Sequence, residues 1–228
     1  MQKKVIFVVG PNAVGKTGFS LKLAKEFDGE IVNADSMQIY RGMDIGTGKP
    51  SIEERLTCPH HLFDILGPSE TFSVVEYKKL AIEKIEGIHA RGKIPIVVGG
   101  TGLYVNALVN NLDFRTKGNL WEPRSRLFES CIIGLNYKER QKLYEKINLR
   151  VDAMMEAGLL EEVKRLFAEG LGKTAAQAIG YKEFTSFFEK MSSLEEVVTL
   201  IKKNSRKYAK RQLTWFCKLP NVRWVTID

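Results

Sequence analysis

Eight residues, Gly10-Pro-Asn-Ala-Val-Gly15-Lys16-Thr17, narrow the possible folds of this chain more than any other stretch. They satisfy the pattern G-x-x-x-x-G-K-[ST] in full, and their setting agrees with it. Val5-Ile6-Phe7-Val8-Val9 is an apolar run of buried-strand length. Thr17 to Phe27 has helical spacing, with Leu21, Leu23, Ala24 and Phe27 expected to face inward. A glycine-bracketed loop between strand and helix turns its backbone N–H groups toward one point, where phosphate oxygens fit. The helix N-terminus adds partial positive charge. Lys16 adds a full charge, and the Thr17 hydroxyl suits Mg²⁺. Gly10, Pro11, Asn12, Ala13, Val14, Gly15, Lys16 and Thr17 are therefore candidate phosphate-binding residues. The pattern does not say which phosphate compound is held, and a nucleoside triphosphate is the default.

Length and composition bound the rest. The 228 residues, 44% of them hydrophobic, can build one large domain with a sizeable core. No apolar run approaches a membrane span. Met1-Gln-Lys-Lys4 runs straight into a strand with no secretory signal, and three scattered cysteines suit reduced thiols, so a cytoplasmic protein is expected. Cys58-Pro-His60-His61 has no second ligand pair at zinc spacing. The formal net charge of +8 is compatible with a polyanionic partner or with solubility alone.

Along the chain, strands and helices alternate. Glu30 to Asn33 is a short strand that runs into Ala34-Asp35-Ser-Met-Gln-Ile-Tyr40. Asp35 thus stands at a strand's C-terminal end, where parallel sheets bind ligands. Arg41 to Pro50 is a glycine-rich loop. Thr71 to Arg91 reads as an amphipathic helix stopped by Gly92. Ile94 to Val98 is a buried strand ending in Gly99-Gly-Thr101-Gly-Leu-Tyr104. Many ATPases place a magnesium-binding Asp at such a strand end; two glycines stand here, which weighs against ATP chemistry. Thr101 opens the next helix as an N-cap or as a ligand-facing hydroxyl. Residues 113–130 read as a connection. Cys131 to Leu135 is a strand, followed by helices over Tyr137 to Ala157 and Leu159 to Glu169, a helical segment from Gln177, a long helix from Leu194 to Lys218 and a last strand over Val222 to Ile227. This order predicts an α/β fold like that of the phosphate-loop NTPases, a parallel sheet with helices on both faces.

The long C-terminal helix carries two cationic rows, Lys202/Arg206/Lys210 and Lys203/Lys207/Arg211. Like charges at this spacing repel. An anion-facing surface explains that arrangement better than a solvated face.

The ordered blocks have a specific likeness. Gly10 to Thr17, Asp35-Ser-Met-Gln38, Tyr40 to Thr47, Pro59-His-His61 and Gly99 to Tyr104 resemble those of bacterial tRNA dimethylallyltransferases. Leu143 to Asn148 with Arg150-Val-Asp152, Gln177 to Glu183 and Tyr208 to Phe216 continue the same series. The resemblance implies transfer of a dimethylallyl group from dimethylallyl diphosphate to N6 of adenosine 37, beside the anticodon. The loop would then hold a diphosphate leaving group, with Arg150 and Mg²⁺ joining it. Asp35 would act as general base, Thr101 would line the acceptor channel, and Asp35, Ser36, Met37, Gln38, Gly180, Tyr181, Lys182, Lys203, Lys207 and Arg211 would contact the tRNA anticodon stem-loop. A monomer is expected.

Three positions depart mildly from the family's usual residues: Asn12 for Thr, Gly48 for Ala, and Cys217 for Arg. A larger departure lies between Asp113 and Cys131, where family members carry a helical insert that grips the anticodon stem and this chain has a short connection. The sequence leaves open whether that shortening belongs to the whole protein. Alternative readings are an isopentenyltransferase of free adenine nucleotides, a small-molecule kinase, and a nucleic-acid-binding module without chemistry. Lys16, Thr17 and Asp35 argue against the last, and the block from Asp35 to Thr47 against the kinase.

Overall fold

The computed structural model describes residues 3–115, 120–121 and 125–227. Six strands form one sheet: β1 (Lys4–Val9), β2 (Gly29–Asn33), β3 (His60–His61), β4 (Ile94–Gly99), β5 (Glu129–Tyr137) and β6 (Val222–Ile227). Their order is β3-β2-β4-β1-β5-β6, and every pairing is parallel. The helices are α1 (Lys16–Glu26), α2 (Ile52–Leu56), α3 (Val74–Ala90), α4 (Gly102–Val109), α5 (Arg140–Glu156), α6 (Leu159–Glu169), α7 (Thr185–Phe188) and α8 (Leu194–Phe216).

Side chains alternate across a strand, so the continuous apolar run of β1 feeds both faces of the sheet. Val5, Phe7 and Val9 join Tyr77, Ala81, Ile85 and Ile88 of α3 and Val105 and Leu108 of α4 in one core cluster. Val8 packs with Ala24 of α1, Ile31, Ile96 and Leu135 in another. This is the two-faced parallel sheet that the alternation of elements predicts. A third cluster joins Ile39, Tyr40 and Met43 to α6 and to the first turns of α8, and so seats the loop that follows β2.

Several details differ from the sequence reading. On α1, Ser20 and Ala24 are buried while Phe27 is 50% exposed, because the helix has already ended at Glu26. Tyr137 ends β5 rather than opening a helix; it pairs with Ile227, and α5 starts at Arg140. The segment from Gln177 resolves into two 3₁₀ turns, Ala175–Gln177 and Lys182–Phe184. Strand β3 has only two residues, too few for any periodic signal.

Candidate functional site

The phosphate loop joins β1 to α1 at the C-terminal edge of the sheet. Gly10 turns with φ 146°, and a Cβ there would fall 2.5 Å from the Leu135 carbonyl oxygen on β5. Gly15 caps α1 at φ 89°, a left-handed conformation that favours glycine. The Lys16 Nζ donates to the Gly10 and Pro11 carbonyl oxygens at 3.0 and 2.8 Å. Burial pushes the Lys16 pKa down to about 8; Asp35 opposes that shift and Arg150 adds to it.

Asp35 follows β2 and is held by Asn33. Asn33 Oδ1 accepts from Asp35 N at 2.9 Å, and Asn33 Nδ2 donates to the Asp35 and Leu62 backbone carbonyls. Asp35 Oδ1 accepts from Met37 N at 2.9 Å, which fixes the carboxylate's orientation. Thr101 precedes α4, but its hydroxyl makes no capping bond. It accepts from Ser36 N at 2.9 Å and donates to Ser36 Oγ at 3.1 Å, so it ties the end of β4 to the Asp35 segment. On α5, Arg150 donates to the Gly48 carbonyl at 3.3 Å, and burial lowers its pKa against the pull of Asp35.

Two cavities meet at these residues. One, of about 310 Å³, is lined by the phosphate loop from Asn12 to Thr17 together with Asp35, Gln38 and Arg150. The other, of about 250 Å³, is lined by Ser36, Met37, Lys182, Tyr208 and Arg211, again with Asn12 and Asp35. Asp35 is therefore common to a cationic phosphate cavity and to a cavity that opens beside α8.

The placement of the expected contact residues is uneven. Gln38 sits on the phosphate side, its amide nitrogen near the Thr47 and Gly48 carbonyls at 3.1 and 3.2 Å. Gly180 is buried but lines a small cavity with Asn12 and Arg150, and Tyr181 has no exposed surface, its hydroxyl donating to Glu162 at 2.6 Å. Only Lys182 of that trio is exposed. On α8 the first cationic row divides, with Lys210 exposed while its other two members meet α5. Lys202 pairs with Asp152 at 2.6 Å and Arg206 donates to Asn148 at 2.6 Å, so these two hold α5. Lys203, Lys207 and Arg211 are exposed, and Arg211 lies 5.4 Å over the Tyr208 ring.

Some residues carry weight that motif reading passes over. Glu162 of α6 accepts from three successive backbone N–H groups, Asp44, Ile45 and Gly46, and so shapes the loop that carries Thr47 and Gly48. Glu183 accepts from Gly180 N and from the Asn204 amide. Tyr208 and Gln212 stand one turn apart on α8, against Gly100. A usable signal was the glycine cluster after β4. A Cβ at Gly99 would fall 2.2 Å from the Ala34 backbone, one at Gly100 2.2 Å from Gln212 Nε2, and one at Gly102 2.4 Å from the Trp215 ring. Those glycines mark the close approach of α8 and β2.

Among the described residues, no group of three or more His, Cys, Asp or Glu side chains could hold a metal ion. Cys58 approaches His60 Nδ1 at 3.9 Å, with no further ligand. Likewise, no described helix is long and apolar enough to cross a membrane.

Fold and site together define a phosphate-loop α/β protein with a second cavity built around a carboxylate. The family model described as IPP transferase matches residues 38–127 and 114–219. The tRNA dimethylallyltransferase of Alkaliphilus oremlandii is 39% identical, covering 100% of this chain and 93% of the relative. That of Shouchella clausii is 40% identical, covering 100% and 92%. The crystal structure of the tRNA isopentenylpyrophosphate transferase from Bacillus halodurans superposes with a TM-score of 0.90 at 39% identity, covering 100% of this chain and 92% of that one. A eukaryotic dimethylallyltransferase acting on tRNA superposes at 0.81 and 28% identity, covering 94% and 70%. The chain belongs to the IPP transferase family. Its match to the Alkaliphilus protein spans 291 residues, 63 more than the chain's own 228. The two matched segments of the family model meet at 114–127, between α4 and β5.

Proposed function

We propose that this protein transfers a dimethylallyl group from dimethylallyl diphosphate to N6 of adenosine 37 in the anticodon loop of a tRNA. The observation that carries the reading is Asp35, the carboxylate shared by the two cavities. A donor diphosphate on the phosphate loop and an unstacked adenine entering beside Tyr208 and Arg211 would meet at that side chain.

The chemistry follows from the charges. The N6 amine is a weak nucleophile because its lone pair is delocalised into the ring. As nitrogen bonds to the allylic carbon, the carbon–oxygen bond to diphosphate breaks and the N6 proton passes to Asp35. Negative charge grows on the leaving oxygens, and Lys16 and Arg150, which line the same cavity, would stabilise it there. Asp35 already has one oxygen engaged by Met37 N, so the carboxylate is oriented before substrate arrives.

The donor set suits Mg²⁺. Mg²⁺ prefers oxygen ligands and takes few from protein when a diphosphate supplies the rest. The Thr17 hydroxyl, in the same cavity as Lys16, would hold it. When bound, the ion neutralises leaving-group charge.

The test offers labelled dimethylallyl diphosphate with an anticodon stem-loop, AMP or no acceptor, and unlabelled ATP as competing donor. Label on the stem-loop supports the reading. Label on AMP alone points to a nucleotide acceptor, and suppression by ATP at equal concentration points to a kinase-type loop.

A further inference from the structure

We propose that Gln212 is a positioning residue for this reaction, holding the phosphate loop in register with the acceptor side of the site. The inference rests on the proposed prenyl transfer.

Gln212 lies on α8, 3% exposed, and spends its whole amide on two other elements. Its oxygen accepts from Asn12 N in the phosphate loop at 2.9 Å. Its nitrogen donates to the Gly100 carbonyl at 3.0 Å and to Asn12 Oδ1 at 3.2 Å. Gly100 is the residue before Thr101, whose hydroxyl holds the Asp35 segment through Ser36. One side chain therefore joins the loop that binds the leaving group to the strand end that frames the carboxylate. An amide is the group required: the Asn12 N–H needs an acceptor and the Gly100 carbonyl needs a donor. Glutamate offers no donor when ionised, and leucine offers neither. The fit is close, because any Cβ at Gly100 would occupy the space of Gln212 Nε2.

Helix α8 also carries Arg211 beside the acceptor cavity and the exposed Lys203 and Lys207. Gln212 thus ties the phosphate loop to the same rigid helix that faces the polyanion. Transfer needs the allylic carbon and N6 aligned within a narrow range, and small misplacements reduce turnover far more than binding.

The test compares wild type with Gln212→Leu and Gln212→Glu. The glutamate has the same length and keeps an acceptor for Asn12 N, but it sets a second oxygen against the Gly100 carbonyl. Single-turnover rate, donor KM, stem-loop Kd, thermal melting and amide exchange at Asn12 are measured. Turnover is expected to fall at least about tenfold in both variants, with donor KM and stem-loop Kd changed less than about threefold. Asn12 amide exchange should speed up in Gln212→Leu, a readout that needs no transfer reaction. Normal turnover in either variant overturns the proposal, as does a raised donor KM at unchanged kcat or unchanged Asn12 exchange. If wild type prenylates no stem-loop while Asn12 exchange responds as expected, the loop contact stands and the proposed reaction fails instead.

Discussion

At the scale of single residues, Lys16 and Asp35 carry opposite charges and separate tests. In the proposed reaction Lys16 would meet diphosphate as an ammonium, yet burial lowers its pKa to about 8 in the free protein. Above that pH, binding must first restore the proton. Affinity for inorganic diphosphate with Mg²⁺ should therefore fall between about pH 8 and 10, approaching tenfold per unit, and titration calorimetry reads it directly. The same shift bears on stability with a definite sign. Between about 8 and the unperturbed 10.5 the unfolded chain binds more protons at this site, so the Lys16 contribution to stability rises with pH there. Lys16→Met should bind diphosphate weakly and without this pH slope; a slope retained in that variant would assign the titration elsewhere. For Asp35, Asn is a conservative probe because its Oδ1 can still accept from Met37 N. Asp35→Asn should leave donor and stem-loop affinities nearly unchanged and lower the single-turnover rate by about 10² or more. Turnover within a few-fold of wild type would remove the general-base role.

At the scale of elements, α8 makes two separable contributions. Lys202 and Arg206 face α5, whereas Lys203 and Lys207 are exposed. Lys203→Glu with Lys207→Glu should weaken every RNA hairpin alike and flatten the plot of log affinity against log salt by about 2, near one per lost phosphate contact. Lys202→Ala should leave that slope alone and lower the melting temperature slightly, since half-exposed ion pairs contribute about 0–1 kcal/mol. Fluorescence anisotropy at several salt concentrations separates the two, and equal slopes for wild type and the double reversal would make the exposed row a solvated face. Periodicity alone placed both rows on the helix but could not say which met another element. That limit is general in this chain. Strands β1 and β4 were legible because buried parallel strands are apolar runs, and β2, β5 and β6 because short apolar or β-branched segments follow turn signals. The placement of Gly10 to Thr17 between β1 and α1, and of Asp35 just after β2, was legible because it rests on local spacing. Strand β3, Tyr137 at the end of β5, the burial of Tyr181 and the roles of Glu162 and Gln212 were not, because each depends on partners distant in sequence. Gln212 and Asn12 are 200 positions apart.

At the scale of the whole molecule, the chain is shorter than the span it matches in its relatives. The span matched to the Alkaliphilus relative exceeds this chain by 63 residues, and the two family-matched segments meet between α4 and β5. The phosphate loop, the Asp35 segment and α8 lie outside that junction, and none of the described residues lining the two cavities falls within it. We propose that what the shortening removes is surface for gripping RNA away from the target base. The exposed cations from Lys203 to Arg211 extend along about 12 Å of helix, at 1.5 Å per residue. A row of that length reaches only a few phosphates next to the acceptor cavity. Stem length should therefore matter little to this chain. A hairpin cut back to the loop and its closing base pairs should bind within about threefold of one with a full stem, and with nearly the same salt slope, because the number of neutralised phosphates is unchanged. Anisotropy titrations at two salt concentrations decide the matter. A loss of more than about tenfold for this chain on shortening, with a smaller slope, would mean that a second basic surface far from α8 holds the stem.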